Sequence, residues 1–331
     1  MNMLDRRRFF SVVAALGWSP LARSQPAPRL DKVVVAGWSK PITEVMPLLV
    51  DEDKGFYRAQ QIDLQFVPGA GGGDAIRNIL SGQADVAFTD PGSLFAALDK
   101  GEKLRAIYDI YPQNVFNVVS LRSSNINTPA DLRGKRIGVY SLASGTRQNL
   151  LVLLHQAGLA ESDVQIVVTG LLNFAPLLQG QVDATAATDT GLLIGKTRGI
   201  SEVSVMEVGK YLNVSSDLFV VRDDVYAQRQ PVLRRFLRAY RDSAAWMIAN
   251  ADEASRLAAT RAIDGGDATL ALGIIRLRNA ASVSPLTQKQ GLGAIDADSL
   301  QAAADAYQKL GLIQRRINVA DVLSSALLPG R

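Results

Sequence analysis

The sequence contains no cysteine and only one histidine, His155, among its 331 residues. Without cysteine the chain can form neither a disulfide nor a thiolate metal site, and it has no thiol nucleophile. A zinc site would have a single histidine to draw on. These absences exclude cysteine–histidine catalysis and the usual zinc centres, so we expect no catalytic residue, metal site or cofactor.

Long apolar runs are also missing. After the first 24 residues, no stretch of the sequence is both long enough and apolar enough to form a membrane-spanning helix. A hydrophobic content of 47% and a charged content of 21% are typical of a soluble globular protein. The length suits two domains better than one.

The excess of positive charge is small and lies mostly at the N-terminus. The chain carries a formal net charge of +4, and three of these charges belong to residues 1–24. The rest of the chain is close to neutral, so it has no electrostatic footprint for nucleic acid. We therefore expect no nucleic-acid partner.

The N-terminus has the pattern of an export signal over residues 1–24. Basic residues precede a modest apolar stretch from Phe9 to Leu21, and the small residues Ala22 and Ser24 suit a cut before Gln25. The pair Arg6-Arg7 ahead of two phenylalanines indicates the twin-arginine route, with an ordinary Sec signal as the alternative. A lipid anchor would need a cysteine at the mature N-terminus. We therefore expect a soluble periplasmic protein without a lipid anchor.

One short pattern occurs twice. Residues 80–85 and 178–183 both read Leu-x-Gly-Gln-x-Asp, and each copy continues into a strand of small residues and then Thr-Asp. Glycine suits the left-handed position after a helix. Polar turns at the carboxyl ends of buried strands are where open α/β sheets bind ligands. The doubling predicts two similar lobes that share a cleft, with Gly-Gln-x-Asp as scaffold and the ligand chemistry in the turns beyond it.

The order of predicted elements supports this arrangement. Strands and helices alternate in two blocks, linked by apolar strands at Val115–Leu121 and Asp217–Val221, and the chain then turns helical. The pattern predicts an α/β fold with a mixed sheet and flanking helices in each lobe and a hinge of two crossing strands. Residues 30–118 and 217–331 would form lobe I, with a helical C-terminal tail, and residues 119–216 would form lobe II.

Several segments together resemble a known family. They are Asp53–Tyr57, Ser81–Phe88, Thr128–Val139, Ser144–Thr146, Leu178–Ala184 and Pro231–Ala239. In order and spacing they resemble the periplasmic solute-binding proteins of ABC importers, in the branch that serves nitrate, sulfonates such as taurine, and thiamine-pyrimidine precursors. The resemblance implies a type II two-lobe fold that closes on its ligand. It also implies a membrane permease and an ATPase as partners, and a monomer.

Candidate ligand contacts come from the predicted turns. Ser141, Ser144, Gly145 and Thr146 form a small-residue turn before a strong helix, and the N-terminus of a helix attracts anions. The alternative is that Ser144 or Thr146 merely caps that helix.

Five further candidates lie at other edges of the predicted cleft. Thr89 and Asp90 precede one helix and Asp189 another, where each acid can accept a ligand N–H or cap its own helix. Trp38 follows the first strand and can stack on a ligand or pack against the protein. Asn117, on a crossing strand, can contribute from the hinge side.

These observations predict the substrate-binding component of an ABC importer. It would capture a small polar or anionic solute, such as a sulfonate, a nitrate-like anion or a pyrimidine precursor of thiamine. One alternative is an enzyme similar to the pyrimidine-precursor synthases, whose family resemblance implies a histidine and a cysteine-rich iron site, whereas this chain has one histidine and no cysteine. Another is a ligand sensor built on the same fold.

Overall fold

The computed structural model describes residues 29–172 and 174–328. The export signal expected at residues 1–24 lies outside these ranges. No helix within them combines the length and apolarity needed to cross a membrane.

Ten strands form two five-stranded mixed sheets in the described residues. The first sheet has the order β2-β1-β3-β10-β4 and the second has the order β7-β6-β8-β5-β9. β10 runs antiparallel to both β3 and β4, and β5 runs antiparallel to both β8 and β9. The strands are β1 Asp31–Ala36, β2 Ile62–Val67, β3 Val86–Thr89, β4 Leu104–Tyr111, β5 Phe116–Leu121, β6 Arg136–Val139, β7 Gln165–Val168, β8 Ala184–Thr188, β9 Val203–Glu207 and β10 Asp217–Arg222.

Helices flank both sheets, and the longest follow β10. The α-helices are α1 Met46–Leu49, α2 Asp51–Lys54, α3 Phe56–Ala59, α4 Gly72–Leu80, α5 Pro91–Asp99, α6 Gly145–Gln156, α7 Ala175–Leu178, α8 Asp189–Thr197, α9 Asp223–Ala249, α10 Ala251–Arg261, α11 Ala268–Ala281, α12 Pro285–Gln290, α13 Ala297–Lys309 and α14 Val319–Val322. Short 3-10 turns cover Thr43–Val45, Arg122–Ser124, Pro129–Leu132, Glu161–Asp163, Gly170–Leu172 and Val208–Lys210. The expected α/β fold of two mixed sheets flanked by helices is confirmed.

The chain crosses between the sheets twice. It leaves the first sheet after Tyr111 and enters the second at Phe116, and it returns between β9 and β10. All of β5 pairs within the second sheet, so the boundary expected after residue 118 falls inside a strand. An apolar run marks a strand but does not reveal which sheet it joins. The division into two domains stays a prediction, and we call each sheet with its flanking helices the first and second lobe.

The doubled pattern plays the same structural role in both lobes. Gly82 and Gly180 adopt φ of 75° and 67°, the left-handed conformation that turns a helix back into a strand. The carboxylates of Asp85 and Asp183 each accept a backbone N–H from the neighbouring strand, Val34 at 2.9 Å and Arg136 at 2.8 Å. Gly-Gln-x-Asp is therefore scaffold, as the sequence indicates.

An aromatic cluster joins the C-terminal helices to the first sheet. Phe219 of β10 packs against Phe236 and Tyr240 of α9, with ring centroids 5.2 and 4.6 Å apart. All three side chains are buried. Burial of large aromatic surfaces is a dominant favourable contribution to folding, so α9 is fixed against the face of the sheet. α9 in turn contacts α11, which lines the cleft through Arg278.

Candidate functional site: a cleft between the two lobes

A cavity of about 350 Å³ lies between the lobes, within the range of small-molecule sites. Both lobes contribute to its lining, which is largely apolar. Of the residues expected from the sequence, the structure brings five to it: Trp38, Asp90, Ser144, Gly145 and Thr146.

The other four candidates lie elsewhere. Thr89 is fully buried, and its hydroxyl donates to the Gly72 carbonyl at 3.0 Å. The Ser141 hydroxyl donates to the Ala70 carbonyl in the opposite lobe. Asn117 and Asp189 line a separate depression beside the crossing segments. None of the four belongs to the cavity lining.

Asp90 has its oxygens occupied within its own helix. Its carboxylate accepts from the Ser93 backbone N–H at 2.9 Å and from the Ser93 hydroxyl at 2.7 Å, which makes it the N-cap of α5. Burial raises the pKa of Asp90, although these hydrogen bonds oppose the shift. The geometry shows the capping role, and a contact between Asp90 and a ligand stays a prediction.

The side-chain hydroxyls of the turn before α6 are also hydrogen-bonded within the protein. The hydroxyls of Ser144 and Thr146 lie 2.7 Å apart, Ser144 caps α6, and Thr146 accepts from the Tyr140 backbone N–H at 3.0 Å. What this turn can offer a ligand is the backbone N–H groups that open the helix at Gly145 and Thr146. A side chain at Gly145 would lie 2.7 Å from the Phe116 ring, so only glycine allows this approach.

Three buried charged residues of the cavity were not among the candidates. Glu44, Asp217 and Arg278 are 6%, 7% and 1% exposed. Each lies in an otherwise ordinary amphipathic or apolar segment, and no motif surrounds it. Their shared burial arises only when distant segments meet, so the sequence carries no signal for them.

Arg278 forms the centre of a buried ionic cluster. Its guanidinium lies 3.5 Å from the Glu44 carboxylate, also pairs with Asp189, and stacks over the Tyr111 ring at 5.0 Å. The Thr190 hydroxyl donates to Glu44 at 2.8 Å. Asp189 and Thr190 belong to the second lobe and Glu44 to the first. Asp189 therefore holds Arg278 between the lobes.

Asp217 is buried without a partner. Its carboxyl group has no hydrogen bond or ion pair to any residue in the described ranges, and the residue lines the cavity. Burial, reinforced by the negative charge of Asp90, raises its pKa well above the ordinary value. A buried polar group without a partner in the protein is costly, so this group is available to a ligand.

Other lining residues also carry buried polar atoms without a hydrogen-bond partner in the described structure. The donors are Trp38 Nε1 and Arg278 Nε. Glu44 Oε2 also lacks a hydrogen bond, although it forms the ion pair with Arg278. Aromatic rings lie close by, since Trp38 meets Tyr140 edge to face at 6.4 Å. Together with Asp217, the cleft offers unused donors and acceptors beside aromatic surface.

The glycine-rich turn at residues 69–73 makes a contact between the lobes. The Gly73 N–H donates to the Ala143 carbonyl at 3.0 Å. A Cβ at Gly71 would lie 2.4 Å from the same carbonyl oxygen, and Gly71 has φ of 128°. The glycines therefore let the two lobes meet closely.

Replacing Gly71 with alanine is expected to lower the free energy of unfolding by about 1–3 kcal/mol, because the backbone conformation is accessible almost only to glycine. Urea denaturation measures this change. Gly134→Ala is the control, since Gly134 also has positive φ but nothing lies within 4 Å of its added Cβ. A loss at Gly71 no larger than that at Gly134 would contradict the tight contact.

Comparison with curated proteins gives two informative relatives. The chain is 25% identical over 321 residues to the riboflavin-binding protein RibY of Chloroflexus aurantiacus, covering 94% of this chain and 90% of RibY. It is 23% identical over 207 residues to the 4-amino-5-hydroxymethyl-2-methylpyrimidine phosphate synthase of Schizosaccharomyces pombe, covering 59% of each chain.

Among solved structures, the alkanesulfonate-binding protein SsuA of Xanthomonas axonopodis pv. citri, bound to MOPS, superposes with a TM-score of 0.70. The superposition covers 90% of this chain and 99% of SsuA at 19% identity, a likeness of fold. The family model described as NMT1/THI5 like matches residues 42–254, well over half of the sequence. The chain therefore belongs to the NMT1/THI5-like family.

Proposed function

We propose that this protein is the periplasmic solute-binding component of an ABC importer, and that its cleft takes a flat nitrogen heterocycle. The observation that carries the ligand class is the set of buried, unused donors and acceptors on residues lining one cavity. Such a set strongly favours a ligand that supplies the matching hydrogen-bond donors and acceptors, because any other ligand leaves the buried groups unpaired.

The charges of the cleft disfavour a simple anion. Its lining includes the acids Glu44, Asp217 and Asp264, and its buried cation Arg278 is already paired with two carboxylates. A sulfonate or nitrate supplies only acceptors, so it would leave the Asp217 carboxyl group unpaired and lie close to acidic side chains. A pyrimidine or related ring supplies N–H donors and carbonyl or ring-nitrogen acceptors together.

The aromatic lining favours a flat ligand. Trp38 of the first lobe and Phe116 and Tyr140 of the second all line the cavity. Aromatic side chains stack well on planar rings, and contacts from both lobes would favour the closed state when the ligand is bound. The similarity to a riboflavin-binding protein along nearly the whole chain supports this ligand class. The flavin ring system contains a pyrimidinedione.

Catalysis by a synthase similar to the fungal relative is the second candidate function. Its chemistry would need reactive side chains at the ligand. His155, the sole histidine, is exposed on α6 and lines a different groove with Leu310 and Leu312, and the sequence has no cysteine. These observations favour binding. A sensor would bind the same ligand, and uptake of that ligand through the cognate permease separates transport from sensing.

Titration of the purified protein tests the ligand class. We expect riboflavin or a hydroxymethylpyrimidine to bind with micromolar or lower Kd, and taurine and MOPS to bind at least about ten-fold more weakly. Asp217→Ala should weaken heterocycle binding about ten-fold or more, since one hydrogen bond to a charged or buried polar group is lost. Flavin fluorescence and calorimetry measure both changes.

The exposed Asp63 of β2 provides the matched control, and Asp63→Ala should leave affinity unchanged. Tight binding of a sulfonate with no binding of either heterocycle would overturn the ligand class. If none of the four compounds binds at millimolar concentration, the solute-binding proposal itself fails.

A further inference from the structure

The outer end of the cleft differs from its floor. The floor is built from buried charged residues, whereas Leu171 and Ile263 at the outer end are 42% and 61% exposed. One of these apolar side chains comes from each lobe. Arg198 lines the same cavity and is exposed. The cleft therefore opens to solvent between an apolar pair and a cation.

Helix α8 connects the floor to this opening. Gly191 and Ile194 of this helix and Arg198, the residue that caps its C-terminus, all line the cavity. Their spacing of three and four positions puts them on one face. The helix begins beside the floor, where Asp189 pairs with Arg278. At 1.5 Å per residue, the seven positions from Gly191 to Arg198 correspond to roughly 10 Å along the axis.

The Arg198 guanidinium has no hydrogen bond or ion pair to any residue in the ranges 29–172 and 174–328, whereas its backbone N–H donates to the Gly195 carbonyl at 3.0 Å. The nearby acid of the lining, Asp264, is occupied elsewhere, because its carboxylate accepts from the Thr43 backbone N–H at 2.8 Å and from the Thr43 hydroxyl at 2.7 Å. The guanidinium at the opening is therefore available to an anionic group of a ligand.

We propose that this opening is a second subsite, in which Arg198 binds the phosphate of a heterocyclic ligand whose side chain runs out of the cleft. The inference rests on the proposed function, since the ring must occupy the floor. A single six-membered ring cannot reach both ends of a cleft roughly 10 Å long, measured along α8. A ring system with a phosphorylated side chain can, and Leu171 and Ile263 would flank that chain.

Phosphate suits this position for a physical reason. A guanidinium presents parallel N–H donors that match two phosphate oxygens, and such charge-assisted pairs are about twice as strong as neutral hydrogen bonds. The floor of the cleft, with its acids, would repel the same phosphate. The separation of charges along the cleft thus fixes the direction in which an elongated ligand enters: ring first, phosphate last.

The test compares riboflavin with flavin mononucleotide on the full-length protein. We expect the wild type to bind flavin mononucleotide about ten-fold more tightly at low salt, the increment that one charge-assisted hydrogen bond provides. Arg198→Ala should abolish this preference and change riboflavin affinity less than about two-fold. Added salt should reduce the preference in the wild type.

Lys196→Ala is the matched control. Lys196 lies in the last turn of α8, two residues before Arg198 and with the same charge, but it lines the depression beside the crossing segments. It should leave the preference intact. A phosphate preference that persists in Arg198→Ala, or an equal loss of both flavins, would overturn the subsite.

Hydroxymethylpyrimidine and its phosphate form a second pair of probes that separates the two proposals. If hydroxymethylpyrimidine binds and neither flavin does, the compound that the floor accepts is too short to reach Arg198 at the opening. The subsite is then wrong and the proposed function stands. If no heterocycle of either pair binds, the proposed function and the subsite are both wrong.

Discussion

Replacing Arg278 with methionine is expected to lower the free energy of unfolding by about 3–5 kcal/mol, because it leaves the buried Glu44 carboxylate and the partly buried Asp189 carboxylate without their cation. Arg278 is 1% exposed and pairs with Glu44 of the first lobe and Asp189 of the second. Glu44 is itself 6% exposed. Urea denaturation followed by circular dichroism measures the loss.

Removing the carboxylates together with the cation provides the control. The triple variant Arg278→Met, Glu44→Gln and Asp189→Asn should recover most of the lost stability, because a buried ion pair replaced by neutral groups is often neutral or stabilising. The recovered stability shows that the effects of the substitutions are not additive. This non-additive part measures the interaction energy within the ionic cluster, separate from the effect of changed packing. Equal losses in the single and triple variants would show that Arg278 contributes by packing alone.

The cluster also explains why Arg278→Met should reduce ligand affinity. α11 supplies Arg278, the 3-10 turn Thr43–Val45 supplies Glu44, and α8 supplies Asp189 and Thr190. These three elements line the cleft from both lobes. Arg278 therefore positions the floor of the site as well as stabilising the fold.

Local pattern was enough to predict much of this fold. The doubled Leu-x-Gly-Gln-x-Asp stretch predicted two similar lobes, because a left-handed glycine and a following strand are set by nearby residues. Trp38 was placed at the cleft for the same reason, since it directly follows a buried strand. Whether Trp38 contacts a ligand stays a prediction.

Residues whose role depends on distant partners could not be predicted in this way. Glu44, Asp217 and Arg278 come from segments of the first lobe that lie far apart in the chain, and each looks like an ordinary residue of its own segment. Asp189 illustrates the converse case. Its position after a strand indicated a ligand contact or a cap, whereas Thr188 caps α8 and Asp189 pairs with Arg278. The sequence pattern gives no indication of an ion pair between residues on opposite sides of the cleft.

A second large effect is expected from pH, through Asp109 of β4. Asp109 is 1% exposed, and burial raises its pKa to about 8 despite a hydrogen bond from the Ser215 hydroxyl at 2.6 Å. Its other oxygen, Oδ1, has no hydrogen-bond partner in the described residues. In the unfolded chain the same group titrates near its ordinary value of about 3.9.

The sign of the effect follows from proton binding. Between the ordinary pKa and about 8, the folded protein holds a proton on Asp109 that the unfolded chain releases. The contribution of Asp109 to stability is therefore full at acid pH and falls as pH rises through this window, by up to about 1.4 kcal/mol per pH unit. Above the folded pKa the contribution no longer changes.

Asp109→Asn removes this dependence. The difference in unfolding free energy, wild type minus variant, should fall between about pH 5 and pH 8, by about 1.4 kcal/mol per pH unit where it is steepest. Above about pH 8 the difference should level off. Denaturation curves at several pH values measure it, with Asp63→Asn of exposed β2 as the control. Parallel pH profiles for wild type and Asp109→Asn would show that Asp109 does not titrate in this window.

The position of Asp109 extends the consequence to the hinge. Ser215 belongs to the segment that returns the chain from the second lobe to the first, so the Asp109–Ser215 hydrogen bond ties one crossing to the first sheet. The neighbouring Ser216 hydroxyl binds the other crossing, accepting from the Val115 N–H at 3.0 Å. Ionisation of Asp109 places a negative charge beside the Ser215 hydroxyl, and no residue in the described part of the chain forms an ion pair with Asp109. Backbone hydrogen exchange at residues 211–216 should therefore become faster above pH 8 in the wild type than the intrinsic pH dependence of exchange predicts. Asp109→Asn should abolish this excess.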